Sequence, residues 1–185
     1  MIVFATVATC VGSRSIAQTP EQQHLWDLQR AQASADEKLK DEQLNRQRET
    51  RKADPMGWVR TLNPLTSGGW QFRTVADDGG WAAYSTDHQL KRAGKKVTVW
   101  LRQEYAETQV KDDTRVRSVV QNIQYDCAKE RQRSLMSIYY SDNNIQGSKQ
   151  VEEADIKDAP WLAIIPGSHE ELNYQWACTE KLKPG

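Results

Sequence analysis

Apolar positions open the chain as an unbroken block, thin out along a charged stretch, and then alternate with polar ones to the end. The first block, Ile2 to Val11, is too short to span a bilayer and runs into small and polar residues ending at Ser15-Ile16-Ala17. That is the apolar region and small-x-small cleavage site of a signal peptide, although no Lys or Arg precedes Arg14. The pattern predicts export with cleavage after Ala17. A competing reading takes Val7-Ala8-Thr9-Cys10 as a lipoprotein box with Cys10 acylated, against which Thr9 is bulky for its position.

Thr19-Pro20-Glu21 reads as a helix start, with a hydroxyl N-cap, proline at the first helical position and an acid in the first turn. From Gln22 to Lys52 there is neither Gly nor Pro, and Asp36/Lys40 and Glu42/Arg46 stand at the favourable i, i+4 spacing. Large apolar residues are few: Leu25, Trp26, Leu28, Leu39 and Leu44. Leu25, Leu28, Ala35 and Leu39 would form one seam, but Gln32 and Glu42 interrupt it, so a solvated helical arm is expected rather than a coiled coil. Asp54-Pro55 ends it, because proline disfavours the α conformation in the residue before it. The expected organisation is a leader over 1–17, an arm over 18–54 and one domain over 55–185.

Beyond the arm the period falls to two. Trp58 to Leu62 and Trp70 to Val75 are short alternating runs, and Trp81 to Ser85 follows Gly79-Gly80. Gln89 to Val97 reads as two extended arms around Ala93-Gly94, leading into Val97 to Tyr105. In Arg117 to Cys127, Val119, Ile123, Tyr125 and Cys127 share one face, and Ser118, Asn122, Gln124 and Asp126 share the other. Ser134 to Ser141 is the next strand, Asp142-Asn143-Asn144 a turn, and Trp161 to Ile165 a short apolar strand closed by Pro166-Gly167. Ser168 to Glu171 has capping-box spacing and opens a last helix carrying Leu172, Trp176 and Cys178. The expected fold is α+β: an antiparallel sheet of about six strands with a C-terminal helix, preceded by the long charged helix.

Composition changes this picture in few places. Lys plus Arg equals Asp plus Glu at 25 each in 185 residues, so net charge argues for neither nucleic acid nor an acidic membrane as an obligate partner. Seven tryptophans and six tyrosines against two phenylalanines suit half-buried sheet faces. If Cys10 leaves with the leader, Cys127 and Cys178 remain as an even pair and are expected to form a disulfide tethering the last helix to a central strand. No Cys-x-x-Cys is present, so the expected role is structural rather than redox.

Candidate chemistry is sparse. Lys91, Arg92, Lys95 and Lys96 crowd one hairpin tip, where they read either as a binding patch for an anionic partner or as solvated residues that guard a sheet edge. His24, His88 and His169 are scattered without metal-ligand spacing, and no metal or cofactor is expected. Asp112-Asp113 and Glu152-Glu153-Ala154-Asp155 read as solvated loops, and no phosphate loop, nucleophile elbow or triad occurs. The only enzyme reading is a small periplasmic one using acids such as Asp126 and Glu171. Of Tyr139 and Tyr140, one ring must leave the face used by the other, which suggests a homodimer through an open sheet face.

The order of several motifs resembles the surface-adhesin protein E family of Gram-negative bacteria. These are Ala83-Tyr84-Ser85-Thr86-Asp87, Val99-Trp100-Leu101, Ser118 with Tyr125-Asp126-Cys127, Tyr139-Tyr140, Trp161, Ile165-Pro166-Gly167-Ser168 and Cys178. The resemblance covers roughly residues 70 to 178. It implies an exported, often outer-membrane-associated domain with a sheet bridged to a C-terminal helix by a disulfide. The expected function is a non-enzymatic cell-envelope binding or structural module of the periplasm or outer membrane, with a protein or envelope component as partner. The alternative is a surface-displayed adhesin for host extracellular-matrix or plasma proteins. No segment matches that family's ligand-binding region, and the charged arm departs from its pattern.

Overall fold

A computed structural model describes residues 19–62 and 69–179, apart from the side chains of 87 and 88. The expected leader and its Cys10 lie outside the described residues. The chain forms two compact units, one ending at Asn45 and one starting at Arg46.

Helix α1, Pro20–Ala53, buries no residue along its 34 positions. Its start is a reciprocal cap: the Gln22 amide donates to Thr19 Oγ1 at 3.3 Å, and the Thr19 amide donates to Gln22 Oε1 at 3.0 Å. Leu25, Trp26, Leu28 and Leu39 are all more than half exposed, in agreement with a solvated arm. Among the described residues, no helix is long and apolar enough to cross a membrane.

Trp58 to Leu62 is not a strand. Pro55–Val59 form a short helix, α2, followed by a turn through Leu62. Pro55 supplies the first helical position, and Met56, Val59 and Leu62 recur every three residues, a helical spacing that the brief alternation of the segment masked.

The strands are β1 Trp70–Val75, β2 Trp81–Ala93, β3 Lys96–Lys111, β4 Thr114–Asp126, β5 Arg131–Asp142, β6 Gln146–Glu153 and β7 Leu162–Ala163. They make one antiparallel sheet in the order β1-β2-β3-β4-β5-β6, with β7 pairing the start of β5. The runs Trp81 to Ser85 and Gln89 to Ala93 are thus one strand, and Glu152-Glu153 end β6 rather than lying in a loop.

Turn chemistry sets the hairpins. Gly94, at φ 60°, is the first of two loop residues between Ala93 and Lys96, the place a type II′ turn reserves for glycine. Asp112 and Asp113, at φ 47° and 61°, turn β3 into β4 as a type I′ pair does.

Each face of the sheet carries its own core. The β3/β4 register sets Val97 and Val99 against Tyr125 and Ile123 on one face, where helix α3, His169–Thr179, packs Ala177 among them. On the other face Ala82 and Tyr84 pack with Val59 and Leu62 from the α2 segment. Each fully buried aliphatic or aromatic side chain contributes about 1.5–3 kcal/mol, so two small helical pieces at opposite corners stabilise a sheet that neither could cover alone.

Candidate binding surfaces

The helix tether is built at one end of the sheet. Cys127, just past β4, is bonded to Cys178 of α3 across 51 residues, with the Cα atoms 5.7 Å apart. Tyr174 reinforces it, its hydroxyl donating to the Cys127 carbonyl at 3.1 Å and its ring meeting Tyr125 edge-on at 6.0 Å. The cap expected at Ser168 forms in part. Its Oγ accepts from the Glu171 amide at 3.3 Å, while the Glu171 carboxylate turns to the Gly167 amide at 2.7 Å.

The four expected patch residues separate. Arg92 donates to the Ala177 carbonyl at 3.0 Å and so belongs to the α3 side of the sheet. Lys91, Lys95 and Lys96 remain exposed. Lys91 pairs with Thr98, and Lys96 with Asp126, which puts both on the opposite face. There Lys96 meets residues that sequence reading passed over: the Trp161 indole has Lys96 Nζ at 5.6 Å, the Arg131 guanidinium at 4.6 Å and that of Arg133 at 4.4 Å. The signal was Arg131-x-Arg133, two cations at strand spacing on one face. What it lacked was the long-range placement of Trp161.

Further along this face lies an apolar stretch made by Trp100, Val120, Met136, Ile138, Tyr140 and Val151, which the β3 to β6 registers align. Val120 is buried by its neighbours, whereas Val151 on the outer strand is 50% exposed. Among the described residues no helix packs on this half of the face; α2 serves β1 and α3 serves the other face. Tyr139 and Tyr140 do point apart. Tyr139 donates to Glu152 at 2.9 Å beneath Lys111 Nζ, 4.8 Å from the ring centre, and Tyr140 joins the apolar stretch.

A buried polar network closes the far end. Glu104, wholly inaccessible, accepts from Arg102 Nε at 2.6 Å, Ser118 Oγ at 2.8 Å, Asn143 Nδ2 at 2.8 Å and the Asn144 amide. It ties the β5–β6 turn to β3. Every oxygen of the carboxylate is satisfied, which is the condition for burying a charge.

The carboxylates considered for catalysis have structural partners. Burial pushes the Asp126 carboxyl up, but bonds from Arg131 and the Ala128 amide outweigh it and hold the group below the usual range. Glu171 serves the cap of α3. Glu107 lines a hollow with Arg48, Arg51, Trp81 and Tyr105, where bonds from Arg48 and Arg51 lower its pKa despite burial; a lowered carboxylate is a weaker base near neutral pH. Among the described residues no group of His, Cys, Asp and Glu could hold a metal ion. His169 instead lies against Trp81, with ring centres 4.8 Å apart and the planes tilted by 49°.

Fold and surfaces together describe an α+β sheet domain braced by one disulfide and offering contact faces. Residues 70–179 match the model of the surface-adhesin protein E family, and the chain belongs to that family. It is therefore a surface-adhesin-type protein, as the motif order implied. Similar solved structures include protein E of Haemophilus influenzae, at 14% identity over 60% of this chain and 84% of that one with a TM-score of 0.44. Protein E from non-typeable Haemophilus influenzae is 15% identical over 63% of this chain and 80% of that one, with a TM-score of 0.46. No curated protein matches the chain.

Proposed function

We propose that this chain is an exported, non-enzymatic binding module of the cell envelope, held by Cys127–Cys178 and working through a protein or envelope partner. The observation that carries this reading is the uncovered apolar stretch from Trp100 to Val151 on a domain of the adhesin family. A half-exposed valine on an edge strand beside Ile138 and Tyr140 suits a protein partner, a second copy of the chain included. Arm α1 would act as spacer or docking helix. Display to host proteins is the finer form of the same function.

Two measurements test it. Protease treatment of intact cells removes the domain if it is displayed outside, and full protection would confine the function to the periplasm. Light scattering of the purified chain reads self-association; a homodimer through this face dissociates in Val151→Lys, and a wild-type monomer at high concentration leaves the face to another protein.

A further inference from the structure

We propose that the basic end of the sheet, centred on Trp161, is a binding site for an acidic polysaccharide. Zero net charge conceals a polar arrangement. The turns at one end of the sheet carry Lys95, Lys129 and one acid, Glu130, with Lys91, Lys96, Arg131 and Arg133 on the adjoining strand ends. Those at the other end carry Asp77, Asp78, Asp112 and Asp113, with Lys111 and Asp142 on the adjoining strand ends. Registers from β2 to β5 place Lys91, Lys96, Arg131 and Arg133 on one face. With neighbouring strands about 4.8 Å apart, this is a row of cations roughly 15 Å long.

The cations differ in what already engages them. Arg131 is partly compensated by Asp126 at 3.2 Å. Arg133 is oriented by neutral groups only, Nε and Nη2 sharing Gln124 Oε1 at 3.0 and 2.6 Å while Nη1 donates to the Ile156 carbonyl, so its full charge is projected from a fixed plane. Lys91, Lys95, Lys96 and Lys129 are exposed and stand outside every ion pair among the described residues. The Trp161 indole, with both guanidiniums over its ring, holds Arg131 and Arg133 side by side, and the row of cations offers the sulfates or carboxylates of a polysaccharide their counter-charges. The apolar stretch on the same face adjoins the row, so a bilayer surface is the competing ligand that anionic vesicles test. The exposed Leu162 is turned from the row, pairing with Gln132 and lining a hollow with Tyr125 and Asn173 on the α3 side. This surface adjoins the apolar stretch on the same face, and heparin binding is read without reference to that stretch's partner.

The test titrates the full chain with heparin as the sulfated probe, beside desulfated heparin, poly-L-glutamate and phosphatidylglycerol vesicles. The wild type is expected to bind heparin most tightly, with affinity falling as salt rises. The exposed double substitution Lys95→Ser/Lys96→Ser weakens binding roughly tenfold and flattens the salt dependence. Trp161→Ala removes the preference for heparin over poly-L-glutamate. Absence of heparin binding at low salt overturns the proposal, as does unchanged affinity in the folded lysine variant. Equal or tighter binding of poly-L-glutamate or vesicles overturns it in favour of an acidic protein or a membrane.

Discussion

Arg92 reaches across to the carbonyl of Ala177, 3.0 Å away and one residue before the helical cysteine, so α3 is fastened to the sheet twice at the same end. A guanidinium at the last turn of a helix also meets the negative end of its dipole. The covalent and the electrostatic fastening act on one element.

Closing a loop across 51 residues removes chain entropy worth about 4 kcal/mol from the unfolded state. Cys127→Ser/Cys178→Ser should lower the unfolding free energy obtained from urea denaturation by that order. Arg92→Ala should cost about 1–2 kcal/mol more in the reduced protein than in the oxidised one, since only the former depends on it to hold α3. Equal costs in both forms would show that Arg92 does not hold the helix.

Glu104→Ala leaves Arg102 buried without its counter-charge and is expected to destabilise by about 3–5 kcal/mol. Arg102→Met/Glu104→Leu should cost far less than the single change, because both charges go together. Chemical denaturation of both variants checks the pair.

The turn that Glu104 holds is strained. Asn144 and Ile145 both adopt φ 62°, a region that a β-branched side chain rarely enters. Ile145→Gly should therefore raise stability by about 1 kcal/mol without altering the register of β5 and β6, readable as a higher melting temperature and unchanged amide exchange along both strands.

Stability should fall at both ends of the pH scale for different reasons. The carboxyls of Glu107, Asp126 and Glu152 lie below their ordinary values, so their contribution is complete above the unfolded pKa, near pH 4, and is lost as pH falls. Burial pushes the Tyr84 phenol up to about 12; its contribution is complete below about pH 10 and is lost as pH rises toward the folded value. Urea midpoints measured from pH 3 to 12 should give this dome. Tyr84→Phe should flatten its alkaline side at little cost at pH 7, because the buried hydroxyl has no hydrogen-bond partner among the described residues. A loss above 2 kcal/mol at pH 7 would contradict that.

Local patterns were legible residue by residue. The alternation of Val119, Ile123 and Tyr125 identified a core face, and Thr19-Pro20 and Ser168 marked helix starts that the structure confirms. Misreadings arose where two periods coincide over a few residues, as at Trp58 to Leu62, which turn out helical because Pro55 initiates a turn there. The candidate patch was half legible: the lysines of the tip were visible as a cluster, but strand alternation sent Arg92 to the opposite face from Lys91 and Lys96.

By itself the sequence determined the α+β class, the arm, the antiparallel order and the family, because each rests on spacing within a few residues or on motif order. Only the tertiary structure decided that both faces carry a core, that Glu104 is buried and paired, and that Trp161 joins Arg131 and Arg133. Those are contacts between residues tens of positions apart. Their free energy depends on strand register and on which surfaces exclude water, and neither quantity is local to the chain.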